Sequence, residues 1–154
     1  MPPSPEPLRA HLILASRFEN IEIAERALLD LCAQAGCAGE DEYWLVTALR
    51  EAVANAIRHG NLEDPALKTT VDLHIEADTV TIRVEDQGRG FEPGDIPDPT
   101  DPANLLRPSG RGIFYMRQFM NRVEFSRGAE GGTVVLMARV LRSAQGAHDE
   151  ESDS

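Results

Sequence analysis

Glu51 and Asn55 stand one helical turn apart in the stretch Glu51-Ala-Val-Ala-Asn55-Ala-Ile-Arg58-His59-Gly60. On a wheel advancing about 100° per residue, the apolar positions from Leu45 to Ile57 fill roughly 60° to 240° from Glu51. Asn55 falls at about 40°, Arg58 near -20° and His59 near 80°, so the four polar side chains follow one edge of the buried face. The buried neighbours on that edge are alanines, which leave room for a ligand. A carboxylate there can take a proton from a nucleophile, and an amide oxygen one turn on can hold a hard cation such as Mg2+. The same spacing also fits a polar helix face with an i,i+4 charge pattern.

Two glycine-bearing islands supply different chemistry. In Val84-Glu85-Asp86-Gln87-Gly88-Arg89-Gly90-Phe91, the glycines remove Cβ atoms that would block a flat ring, and Asp86 can accept from an exocyclic amine. Adenine satisfies all three, although a strand-ending turn reads similarly. Ser109-Gly110-Arg111-Gly112 opens a helical pattern, where free backbone amides suit phosphate and Arg107 and Arg111 are the nearby cations. A glycine turn into a helix is the plainer alternative.

These residues need elements to place them. The apolar run within Arg9–Ser16 predicts a strand. Asn20 is placed to cap a helix running to about Gly36, on the spacing of Ile21, Ala24, Leu28 and Leu31. Glu40, Asp41 and Glu42 open a second helix that ends at Gly60. Val71, Leu73 and Ile75, then Val80, Ile82 and Val84, alternate about an Ala77-Asp78 turn and predict a hairpin. Residues 92–109 hold five prolines and four acids and read as a long functional loop. A third helix over about Gly112–Met120 and two strands, Arg122–Ser126 and Gly132–Leu141, complete the order β-α-α-β-β-loop-α-β-β. The expected fold is an α/β (α+β) two-layer sandwich, with a mixed, mostly antiparallel sheet and about three helices on one face.

Composition narrows the chemistry. The 154 residues fit one domain, with Pro-rich 1–7 and acidic 143–154 expected to be disordered tails around a single domain at 8–142. Net charge is -11, and without the five acids of the two tails the remainder carries -6. That balance argues against a nucleic-acid surface. Lys68 is the only lysine and lies outside any Gly-rich turn, which excludes a Walker-A loop. No Val-Ala-Ile-Lys or His-Arg-Asp string marks the usual protein-kinase set. Cys32 and Cys37 lack the partners of a zinc site and read as thiols in a reducing cytosol. No leader or apolar span is present, so a cytoplasmic chain without membrane contact is expected.

Taken in order, the islands resemble the three boxes of the GHKL (Bergerat-fold) ATPase superfamily, which includes gyrase, MutL and the histidine kinases. Glu51-x-x-x-Asn55 is similar to its N box, Asp86-x-Gly88-x-Gly90 to its first glycine box and Gly110-x-Gly112 to its second. Within it, Glu-Ala-Val-Ala-Asn-Ala-Ile-Arg-His-Gly, Val-Glu-Asp-Gln-Gly-Arg-Gly-Phe and Gly-Gly-Thr-Val-Val-Leu most resemble the anti-sigma-factor serine/threonine kinases of the RsbW/SpoIIAB type. The resemblance covers about residues 8–141. It implies Glu51 as general base, Asn55 as the Mg2+ ligand, Asp86 on the adenine amine with Thr133 in support, and residues 92–109 as the ATP lid. It also implies nucleotide contacts from Arg58 and His59. Pro108 lies next to where the family often has a phosphate-contacting arginine, leaving Arg107 one residue off.

The implied activity is an ATP- and Mg2+-dependent kinase that phosphorylates an anti-anti-sigma factor and sequesters a sigma factor, with a homodimer also implied. A catalytically silent ATP-binding module of the same fold is the alternative. A histidine-kinase fragment fits less well, since only about seven loop-like residues precede the first strand and residues 92–109 hold no Phe.

Overall fold

The computed structural model describes residues 6–88 and 116–142. Five strands form one sheet in the order β1-β2-β3-β5-β4, with β1 Leu8–Ala15, β2 Lys68–Glu76, β3 Thr79–Glu85, β4 Arg122–Arg127 and β5 Thr133–Val140. Every described pairing is antiparallel. Helices α1 (Ile21–Ala35) and α2 (Gly39–Asn55) cover one face, α1 over β1 and β2 and α2 over β3 and β5. This is the two-layer sandwich expected from the patterning.

Register explains the single core. Leu73 sits opposite Ile82, and Ile82 opposite Met137, so one face of three adjacent strands is continuously apolar. That face meets Leu28 of α1 and Leu45, Leu49 and Val53 of α2, all fully buried. The side chains between them point to the opposite face, as a two-residue period requires. There His11 bonds Asp72 directly across β1 and β2, and Arg83 lies 3.7 Å from Asp72 and 3.4 Å from Glu85.

The helix ends show which local signals acted. Gly36 closes α1 in the left-handed region at φ 73°, where a glycine costs least. Asn20 occupies the N-cap position without capping. A 3-10 turn at Phe18–Asn20 intervenes, and the Asn20 amide donates to the Ala15 carbonyl at 2.8 Å. Cys32 and Cys37 are free and buried, and burial pushes the Cys32 thiol up to about 12, which makes it a packing residue. Of the third predicted helix, residues 116–119 are described and helical, with Met116 and Met120 buried as expected, while its start lies outside the described residues. The 92–109 loop also lies outside them.

The β2–β3 turn forms where expected but at a cost, because Ala77 is held at φ 54°. An alanine pays for its Cβ in this region, and glycine does not. Ala77→Gly is therefore expected to raise the unfolding free energy by about 0.5 kcal/mol, the relief of strain exceeding the added chain entropy. Urea denaturation checks the sign.

A candidate nucleotide cleft at the end of α2

The site is assembled where α2 ends. Past Asn55 the chain widens into a π-helical turn over Ala56–Gly60, and the Asn61 N–H bonds the Ala56 carbonyl five residues back at 2.8 Å. Such turns often mark functional sites. The 100° wheel therefore holds for Glu51 and Asn55, while the two residues after the widening follow another spacing. Arg58 is exposed, with its guanidinium 5.3 Å from the centre of the Phe18 ring, and His59 is exposed too. Neither lines the cleft described next.

That cleft lies between α2 and the sheet. Its walls are Ala52, Ala56, Val84, Met116, Phe125 and Val135, and its polar groups come from Asn55, Asp86 and Thr133. The alanines leave the room that their small side chains promised. The apolar walls suit the faces of a flat ring. Glu51 opens instead into an adjoining recess with Trp44, Thr47, Ala48 and Phe119, and Met116 belongs to both spaces.

Asp86 is the centre of the arrangement and is only 3% exposed. Its Oδ1 accepts the Gly88 and Thr133 N–H groups, each at 3.1 Å, and its own N–H donates to the Thr133 carbonyl at 3.1 Å. Three backbones crowd around it. A Cβ on Gly60 would overlap the Asp86 carboxylate, one on Gly132 the Asp86 carbonyl, and one on Gly88 the Gly60 carbonyl. Among the described residues, no hydrogen bond occupies Oδ2. Burial pushes the Asp86 carboxyl above its ordinary value, and the two N–H donors only partly oppose this. Glu51 is likewise pushed up by burial, against the charges of Arg58 and Arg50.

Sequence reasoning missed Asn61, which is fully buried. Its Nδ2 donates to Ser16 Oγ at 2.7 Å and the Lys68 carbonyl at 3.0 Å, and its Oδ1 accepts the Gln87 N–H at 2.9 Å. Gln87 Oε1 in turn accepts the Lys68 N–H at 2.6 Å. One amide thus ties the end of the π turn to the start of β2 and to the residue after Asp86. The only signal was an asparagine directly after a helix-ending glycine. Of the remaining predicted positions, Gly88 and Thr133 lie on Asp86, whereas Gly90, Arg107, Gly110, Arg111 and Gly112 fall outside the described residues.

An acceptor in an apolar slot beside an amide can receive a flat ring that carries an exocyclic amine. Comparison with known proteins gives the family. Residues 14–139 match the histidine kinase-like ATPase domain family. The chain is 30% identical over 138 residues to an anti-sigma F factor of Anoxybacillus flavithermus, covering 86% of this chain and 93% of the relative. It is 33% identical over 137 residues to an anti-sigma F factor of Clostridium botulinum, covering 85% and 93%. Its fold matches the RsbU and RsbW domains of a Mycobacterium tuberculosis protein with TM-score 0.64 at 20% identity, over 87% of this chain and 32% of that one. The chain belongs to the histidine kinase-like ATPase domain family, in the branch of the anti-sigma F factors. No described helix is long and apolar enough to cross a membrane.

Asn61→Ala is expected to lower the unfolding free energy by about 2–3 kcal/mol, because it strands the Gln87 N–H and the Ser16 and Lys68 acceptors in the interior. Denaturant titration measures it.

Proposed function

We propose that this chain is a cytoplasmic serine/threonine protein kinase and anti-sigma factor, which uses ATP to phosphorylate an anti-anti-sigma protein and otherwise sequesters a sigma factor. The observation that carries this reading is the placement of a half-buried carboxylate, Glu51, one turn before Asn55 and beside a cleft closed by Asp86. Residues 8–142 act as the single ATP-binding domain, with 1–7 and 143–154 as tails, and the protein works as a homodimer.

The roles follow from chemistry. Asp86 Oδ2 accepts the adenine amine, while Oδ1 stays committed to Gly88 and Thr133. Gly88 keeps its N–H on Asp86, its missing Cβ making room for the Gly60 carbonyl rather than for the base; Gly90 lets the base approach, and Arg58 and His59 reach the nucleotide from outside the cleft lining. Gly110 and Gly112 offer backbone amides to the phosphates, with Arg107 and Arg111 as counter-charges. Asn55 fits Mg2+, which needs few protein ligands when phosphate oxygens complete its shell, and when bound it would neutralise charge on the phosphates. Among the described residues no cluster of three His, Cys, Asp or Glu side chains competes for a metal. Glu51 accepts the proton of the attacking serine or threonine hydroxyl, so the oxygen that forms the new P–O bond is relieved of its proton as the bond to ADP breaks.

Phosphotransfer to the cognate anti-anti-sigma protein, with labelled ATP and Mg2+, tests this. The native chain is expected to transfer phosphate. Glu51→Gln is expected to bind ATP yet lose roughly 100-fold or more in rate. Full transfer by that variant removes Glu51 as the base, and ATP binding without any native transfer leaves a silent binding module. The rate should also depend on pH. Since burial raises the Glu51 carboxyl, the ionised base is lost on acidification at a higher pH than for an ordinary glutamate, and the acid limb of the profile should move accordingly.

Asp86→Asn separates stability from binding. With its pKa raised on folding, ionised Asp86 costs stability above the folded-state pKa, and the cost vanishes as pH falls below the unfolded value. Asparagine keeps an oxygen for the Gly88 and Thr133 donors. The variant is expected to melt no lower than native at about pH 7, with the difference shrinking in acid, while ATP affinity falls roughly tenfold or more. Melting curves at several pH values and nucleotide titration check both halves.

A further inference from the structure

Away from the cleft, the first turn of α2 holds a buried ion pair to which the nucleotide reading gives no task. Asp41 is 3% and Arg139 5% exposed. Arg139 Nε donates to Asp41 Oδ1 at 3.0 Å, and its Nη1 donates to the backbone carbonyl of Phe119. The second Asp41 oxygen accepts the Arg142 N–H at 2.9 Å. Phe119 is fixed from its other side as well. Its ring lies flat on Trp44 of α2, with centroids 3.3 Å apart and planes 8° from parallel.

Buried ion pairs contribute little net stability, because desolvation offsets their attraction. This one has a geometric consequence instead. A forked guanidinium can hold a carboxylate and a carbonyl together, which joins the start of α2, strand β5 and the helical turn 116–119. Met116, the first described residue of that turn, lines both the Asn55–Asp86 cleft and the Glu51 recess. The Met120 N–H bonds the Met116 carbonyl at 2.9 Å, so the segment moves as one unit. Where the Phe119 carbonyl is pinned therefore sets where the wall between the two spaces stands.

We propose that Arg139, held by Asp41, is a positioning residue for the nucleotide site: it clamps the Phe119 carbonyl and thereby keeps Met116 at the wall between Asn55 and Glu51. The inference rests on the reading of the cleft as the ATP site. Arg139 acts through Phe119 and Met116 and does not touch the nucleotide.

Trp44 is the only tryptophan in the chain, so its emission reports the Phe119 stack directly. Arg139→Met alone takes the buried guanidinium away from the buried Asp41 carboxylate and should lower the melting temperature. Asp41→Leu with Arg139→Met removes both charges and is expected to recover it. The double variant should nonetheless show shifted Trp44 emission and an ATP dissociation constant raised roughly tenfold. Native emission and native ATP affinity in a stable double variant overturn the proposal, and so does shifted emission with unchanged affinity. Should the double variant fail to fold, Arg139→Lys keeps a cation against Asp41 without the rigid second arm, and the same two readings decide. Absence of ATP binding by the native chain overturns the proposed function and this inference with it. Native binding that the variants leave unchanged overturns this inference alone.

Discussion

A buried carboxylate must be given hydrogen-bond donors, and supplying them constrains most of what surrounds it. Asp86 meets that demand with two backbone N–H groups on Oδ1 and no side-chain donor among the described residues. Backbone donors can converge so closely only where nothing protrudes, and the positions in contact are Gly60, Gly88 and Gly132. These glycines come from the end of the α2 helical segment, the exit of β3 and the entry to β5. Three elements distant in sequence thus share one boundary condition, and a methyl group at any of the three would push the elements apart.

The π turn at Ala56–Gly60 is how α2 satisfies that condition. A regular helix continued to Gly60 would carry its end along a narrower path. The wider turn brings Gly60 against Asp86 and hands the chain to Asn61, whose amide is bonded to both the β2 side and Gln87. Strain collects just beyond, where Leu62 and Glu63 take positive φ values of 50° and 59°. Such backbone persists only where surrounding contacts over-determine it, and here the Asn61 bonds and the Glu63 N–H on the Ile57 carbonyl do so. The helix end, the strained loop and the carboxylate therefore form one mechanical unit.

Much of this was legible in the sequence, because much of it is periodic. The two-residue alternation of Val71–Ile75 and Val80–Val84 placed the hairpin, and the helical spacing from Leu45 to Val53 placed the buried face of α2 with Glu51 and Asn55 on its edge. The small residues Ala52 and Ala56 foretold the cleft. What escaped is not periodic. A wheel assumes a constant angle and so cannot register the π turn that redirects Arg58 toward Phe18. Asn20 looks like a cap by type, but whether it caps depends on the 3-10 turn before it. Asn61, through Ser16 and Gln87, and the Asp41–Arg139 pair act through partners tens of residues away, which no local pattern encodes.

The two chemically useful carboxylates share one thermodynamic feature. Asp86 and Glu51 are both pushed upward by burial, so the folded chain holds protons at these positions more tightly than the unfolded chain does. A ligand that donates to ionised Asp86 selects the deprotonated form, so such binding and proton retention there oppose each other by linkage. At Glu51 the same burial makes the carboxylate a stronger proton acceptor than an ordinary glutamate, while Arg58 and Arg50 keep the shift from going further. Lys68, the one lysine, opens β2 with its N–H on Gln87 and is exposed. Under the proposed function, phosphate charge therefore falls to arginine, backbone amides and a bound cation, and both carboxylates are left as acceptors.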